Sequence, residues 1–242
     1  MWAPARMMRA CLLAIVIGVM IILAVFLITS PEPSSSTVFG ATEGDQVHLP
    51  PALSESGGSV EKALSQRRSV RAYASRPINI SDISQILWAC QGISGPGGFR
   101  TAPSAGALYP LEVYLVASGV EGLQGGIYHY LPVPHTLQVV RAGDFREDLF
   151  HSALDQTAVR NPPAVLVITG VYEKRTVKYG ERGVRYVHME AGHAAENVYL
   201  QATSLGMGTV AIGAFHDEEV RRILLIEDGE TPLYLMPVGY LF

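Results

Sequence analysis

From residue 59 onward the chain alternates between two signatures. Stretches whose apolar residues recur every three to four positions read as helix, and stretches whose apolar residues alternate or run unbroken read as strand. Ser59 caps a short helix that places Val60, Ala63 and Leu64 on one face and ends near Arg67. A second helix starts at Ser81 and buries Ile83, Ile86, Leu87 and Cys90. Residues 111–117 read as a strand, and 126–130 with 136–140 alternate around a Pro-containing turn, which predicts a hairpin. Residues 164–169 are a continuous β-branched run, the pattern of a strand covered on both faces. Residues 186–205 form the longest helix, with Ala191, Ala194, Ala195, Val198 and Ala202 dense enough for burial on more than one side, and Gly206 ends it. An extended segment at 209–212, a helix at 217–225 and a last strand at 233–238 complete the series.

The N-terminal pattern is different. Residues 10–28 hold no charge, and a membrane-spanning helix needs roughly 20 predominantly apolar residues. A secretory signal has a shorter apolar region of about 7 to 15 residues before small residues at its cleavage site. The expectation is therefore an uncleaved single-pass anchor at 10–28, behind a short basic segment at 1–9. Arg6 and Arg9 precede the run, and 30–61 lack Lys and Arg, so the bias places the N-terminus in the cytoplasm and the remaining chain outside. Pro31, Pro33, Ser34, Ser35, Ser36, Pro50, Pro51, Gly57 and Gly58 make 29–58 an expected tether, with one folded domain at 59–242.

Composition narrows the function. The 242 residues are 48% hydrophobic and 17% charged, with 18 basic against 22 acidic groups and no basic run, which argues against a nucleic-acid binder. Cys11 and Cys90 supply neither a disulfide framework nor, without other ligands, a four-ligand zinc site. His188 and His193 lie five apart and share no helix face, so no metal is expected. Gly206 and Gly208 follow a helix and lead into a strand, the reverse of a dinucleotide fingerprint. Ser104 has Ala102 where a nucleophile elbow needs Gly, so a serine hydrolase is discounted.

Two stretches carry positive signals. In RRSVRAY, Arg67, Ser69 and Arg71 point the same way if the segment is extended, giving forked donors and a hydroxyl to one anion, although arginines at a helix end also serve as caps. RTAPSAGALYP is a turn of small residues whose backbone can approach a flat ligand.

RRSVRAY, APSAGALYPLEVYLV, residues 178–215 and the closing PVGY occur in an order that resembles the nitroreductase superfamily, and within it the SagB-type (ThcOx) dehydrogenases. The resemblance implies an α+β fold with a central, mostly antiparallel sheet flanked by helices, and FMN bound at the interface of a homodimer. It assigns Arg67, Arg68, Ser69 and Arg71 to the FMN phosphate and ribityl chain. Pro103, Ser104 and Ala105 match the turn that a partner subunit lays against the flavin, and Gly213 and Ala214 match the backbone at its reactive edge. Lys178 and Tyr179 match a lysine-tyrosine pair that removes a proton while FMN oxidises an azoline ring in a peptide. Arg175, Arg182 and Arg185 are expected to crowd Lys178 and favour its use as a base. Glu196 stands where that family usually has Gln. The reading is a membrane-tethered FMN oxidoreductase acting on azoline-like rings in a peptide or small substrate. An NAD(P)H-dependent nitro- or quinone-type reductase and a noncatalytic flavin-fold scaffold are the alternatives.

Overall fold

The computed structural model describes residues 42–242. The expected segments 1–9 and 10–28 lie outside the described residues. Among the described residues no helix is long and apolar enough to cross a membrane.

Seven strands form one sheet in which every pairing is antiparallel: β1 (Gln46–His48), β2 (Leu111–Ala117), β3 (Gly126–Leu131), β4 (Thr136–Ala142), β5 (Ala164–Val171), β6 (Met207–Thr209) and β7 (Glu230–Tyr240), in the order β1-β4-β3-β2-β5-β7-β6. Among the described residues seven helices flank it: α1 (Val60–Gln66), α2 (Ile80–Gln91), α3 (Arg146–Ser152), α4 (Thr157–Arg160), α5 (Glu173–Tyr179), α6 (Arg182–Ser204) and α7 (Asp217–Leu224). The α+β expectation with a helix-flanked antiparallel sheet is met.

Strand alternation explains the layering. In β2, Leu111, Val113, Leu115 and Ala117 face α2 and α6, while Tyr114 and Val116 face the layer built with α3, α4 and α7. In β5, Ala164, Leu166 and Ile168 face the first layer, and Val165 and Val167 the second. Both faces are covered, which is why β5 is an unbroken apolar run. Each fully buried Leu or Ile in this core contributes about 1.5 to 3 kcal/mol.

Several boundaries differ from the sequence reading. Helix α2 begins one residue earlier because Asn79 caps it, its side chain accepting from the Ser81 amide. Helix α6 begins at Arg182, so its first turn is more polar than an apolar period can detect. The stretch expected as tether is partly sheet: β1 pairs with β4 at the edge, Val47 and Leu49 are buried, and the Leu53 amide donates to Gln85. Three residues are too few to show a period. Helices α3, α4 and α5 were not expected, since at four to seven residues each lacks two full turns of pattern.

Candidate functional site

The residues named from sequence fall into two clusters. The first forms where α1 ends. Ser59 caps α1 by accepting from the Lys62 amide, and at Arg67 the chain turns extended. Residues 69–70 then run parallel to the end of β6: Ser69 bridges Thr209, and the Val70 amide donates to the Thr209 carbonyl at 2.9 Å. Gly208 permits this approach, because a Cβ there would lie 2.6 Å from Val70 Cβ.

Tyr199, projecting from α6, organises the cluster. Its hydroxyl accepts from the Ala211 amide at 2.8 Å and lies 3.1 Å from Ser69 Oγ, while the Arg67 guanidinium sits 5.1 Å from its ring centroid. Arg67 also reaches Glu196 at 3.8 Å, a half-exposed and therefore weak pair. Arg71 is exposed and borders a cavity of about 650 Å³ that also takes in Arg76, Arg146 and Asn161. Arg68 instead folds back on the end of α1, donating to the carbonyls of Ser65 and Arg67, which is how an arginine caps a helix.

Two residues beyond Ala211, Gly213 and Ala214 are exposed, and among the described residues their amides meet no protein acceptor. Gly213 borders a cavity of about 330 Å³ walled by Tyr172, His188, Phe215 and Tyr234. There the Tyr172 hydroxyl and His188 Nε2 are 2.6 Å apart, and burial, with Asp217 nearby, pushes the Tyr172 phenol up from its ordinary value. Histidine spacing tests only for a metal pair, and a contact between Tyr172 and His188, 16 positions apart, leaves no mark in it.

The second cluster joins α5 to the turn at 104–107. Gly106 has φ +66°, and a Cβ there would meet the Tyr179 hydroxyl at 2.6 Å and Lys178 Nζ at 3.0 Å. Lys178 and Tyr179 thus lie directly on the small-residue turn whose exposed members include Pro103 and Ala105. The Tyr179 ring stands edge-on to Tyr186 at 5.3 Å. Beneath them Arg175 is fully buried, donating to Ser104 Oγ at 2.5 Å and pairing with buried Glu190. Burial pushes the Glu190 carboxyl up from its ordinary value against the pull of Ser104 and Arg175. Of the three arginines expected around Lys178, Arg175 instead points into the core, where it pairs with Glu190. Among the described residues no hydrogen bond or ion pair joins the two clusters.

The donor set of the first cluster fits a phosphate-bearing flat ligand. Arg67 and Ser69 supply a guanidinium and a hydroxyl donor at one end, and exposed main chain without a Cβ at Gly213 leaves room for a ring at the other. A family model for nitroreductases matches residues 64–240, from within α1 to the last residue of β7. The chain belongs to the nitroreductase family. A nitroreductase-type protein of Methanocaldococcus jannaschii is 49% identical over 180 residues, 74% of this chain and 90% of that protein. The microcin B17-processing protein McbC of Escherichia coli is 31% identical over 157 residues, 62% of this chain and 57% of McbC. The chain thus matches little more than half of McbC. The E. coli microcin synthetase McbBCD complex, solved with truncated pro-MccB17 bound, superposes with a TM-score of 0.62 at 25% identity, covering 83% of this chain and 79% of the matched one. Within the nitroreductase superfamily the chain is of the SagB/McbC type, and it is a flavin-type oxidoreductase of a family that generally uses FMN.

Proposed function

We propose that the chain binds FMN along the first cluster and oxidises an azoline-like ring in a modified peptide. The observation that carries this reading is the continuous run from the Arg67–Ser69–Tyr199 cluster through Ala211 to the bare main chain at Gly213 and Ala214. FMN supplies the two-electron acceptor. The residues do the rest. Arg67, Ser69 and Arg71 hold the phosphate, the amides at Gly213 and Ala214 offer donors at the ring edge, and Pro103, Ser104 and Ala105 cover a ring face from a second copy of the chain. Lys178 and Tyr179 take the proton that must leave when a saturated ring is dehydrogenated. The similarity to McbC, a microcin-processing protein, supports a peptide substrate.

The test is the absorption spectrum of the purified chain, followed by anaerobic bleaching of its flavin with a thiazoline-bearing peptide. Arg67→Ala with Arg71→Ala should strip the cofactor, since each charge-assisted contact contributes about 1.5 to 3 kcal/mol. A colourless wild-type protein that takes up no added FMN overturns the reading. The similarity to the M. jannaschii protein favours a second reading, NAD(P)H-dependent reduction of nitro or quinone compounds. Bleaching by NADH and not by the thiazoline peptide would select it. The anchor at 10–28 belongs to the same proposal, with the domain outside. Protection of the domain from protease added to intact cells would reverse that orientation.

A further inference from the structure

Arg175 and Glu190 are the most deeply buried charges in the second cluster, and their surroundings are poorly suited to a purely stabilising role. Arg175 Nε and Nη1, Glu190 Oε1 and Gln91 Nε2 are buried without a protein partner among the described residues. A buried ion pair is weak evidence for stability, because apolar residues of similar volume often serve as well or better. What the pair does hold is the turn. Arg175 donates to Ser104 Oγ, and the same oxygen accepts from the Tyr109 amide at 2.9 Å. At the other end of the turn Arg100, itself donating to Gln91 at 2.8 Å, stacks on the Tyr109 ring at 4.7 Å.

The turn between these anchors is strained. Ala107 has φ 51° and Tyr109 φ 43°, left-handed conformations that residues with a Cβ adopt at a cost and keep only when their surroundings fix them. Arg175 also lies one helical turn from Lys178 and Tyr179 on α5, so one side chain ties both the turn and the helix that touches it. Gly183 makes this possible: a Cβ there would lie 2.8 Å from the Arg175 carbonyl carbon, so only glycine lets α6 seat against α5 at this point.

We propose that the Arg175–Glu190 pair is a positioning device, holding the 104–109 turn in its strained form and registering Lys178 and Tyr179 against it. The inference rests on the proposed function above for what the turn and the proton pair do. The geometry of the turn itself can be tested without cofactor or substrate.

The decisive variant is Arg175→Met with Glu190→Leu in the full chain, which removes both charges and leaves neither stranded. It should melt at or above the wild-type temperature. The amide of Tyr109 and its neighbours at 104–109 should exchange with deuterium at least roughly tenfold faster, since the strained turn loses its anchor. Loaded with FMN, it should bleach with the thiazoline peptide roughly 10²-fold more slowly, the size of effect that a misplacement of about 1 Å produces. Glu190→Gln keeps the shape and should raise exchange at 104–109 in the same direction, which covers the case of a double variant that fails to fold. Wild-type exchange at 104–109 in either folded variant overturns the proposal. So does bleaching at the wild-type rate. Failure of wild-type protein to bind FMN or to bleach would instead count against the proposed function, and the exchange result would still decide the role of the pair.

Discussion

At the scale of single residues, the two clusters make separable demands. Lys178 Nζ and the Tyr179 hydroxyl crowd the space beside Gly106, yet Lys178 is exposed and Tyr179 half-buried, and neither belongs to the buried core clusters. Lys178→Ala and Tyr179→Phe should keep flavin content and melting temperature while lowering turnover on the thiazoline peptide about 10² to 10⁴-fold, the usual contribution of a placed acid–base group. A variant that loses flavin or melts markedly earlier would make the pair structural. Glu196 offers a finer probe. It draws on Arg67 at 3.8 Å in a pair exposed enough to contribute about 0.2 to 1 kcal/mol. Glu196→Gln should release Arg67 toward phosphate and tighten FMN by up to about fivefold in a fluorescence titration. Weaker FMN binding would mean that Glu196 orients Arg67 and does not compete for it.

Among elements, the junction of α5 and α6 bears most on the site, and it hangs on Gly183. A Cβ there would meet the Arg175 carbonyl carbon at 2.8 Å and the Thr176 amide nitrogen at 2.9 Å, backbone atoms that cannot swing aside. Gly183→Ala should therefore cost about 1 to 3 kcal/mol by thermal or denaturant unfolding, as overpacking does, and should displace Lys178 and Tyr179. An unchanged melting temperature would show that α5 is free to shift. Elements with several turns of apolar pattern were legible in the sequence: β2 was placed to the residue, and β5, α2 and α6 to within a few residues. Strand β1 and helices α3, α4 and α5 were not, because tertiary pairing and not period defines them. The same limit applied to the site. RRSVRAY and the small-residue turn were visible as local strings, whereas Arg175–Glu190 and Tyr172–His188 join residues 15 and 16 positions apart through packing that no string records.

For the molecule as a whole, the question is whether one chain can enclose its ligand. Pro103, Ala105, Gly213 and Ala214 are all exposed, so the turn and the main-chain edge both face outward from a single chain. Apolar side chains face outward on the two helices beside them: Val60 is 64% exposed and Leu64 53% on α1, and Met189 is 52% exposed on α6. Around Gly192, one turn beyond Met189, a Cβ would find open space among the described residues. A second copy packed on α1 and α6 would cover these groups and complete the site, which is the basis for proposing a homodimer. Leu64→Glu combined with Met189→Glu puts charge on that face without touching the core, so the fold measured by circular dichroism should persist. Light scattering should then report one chain where the wild type reports two, and FMN affinity should fall at least roughly tenfold, because a ligand shared by two chains stabilises their association and depends on it. A folded, monomeric variant that binds FMN as tightly as the wild type would show instead that each chain holds its cofactor alone.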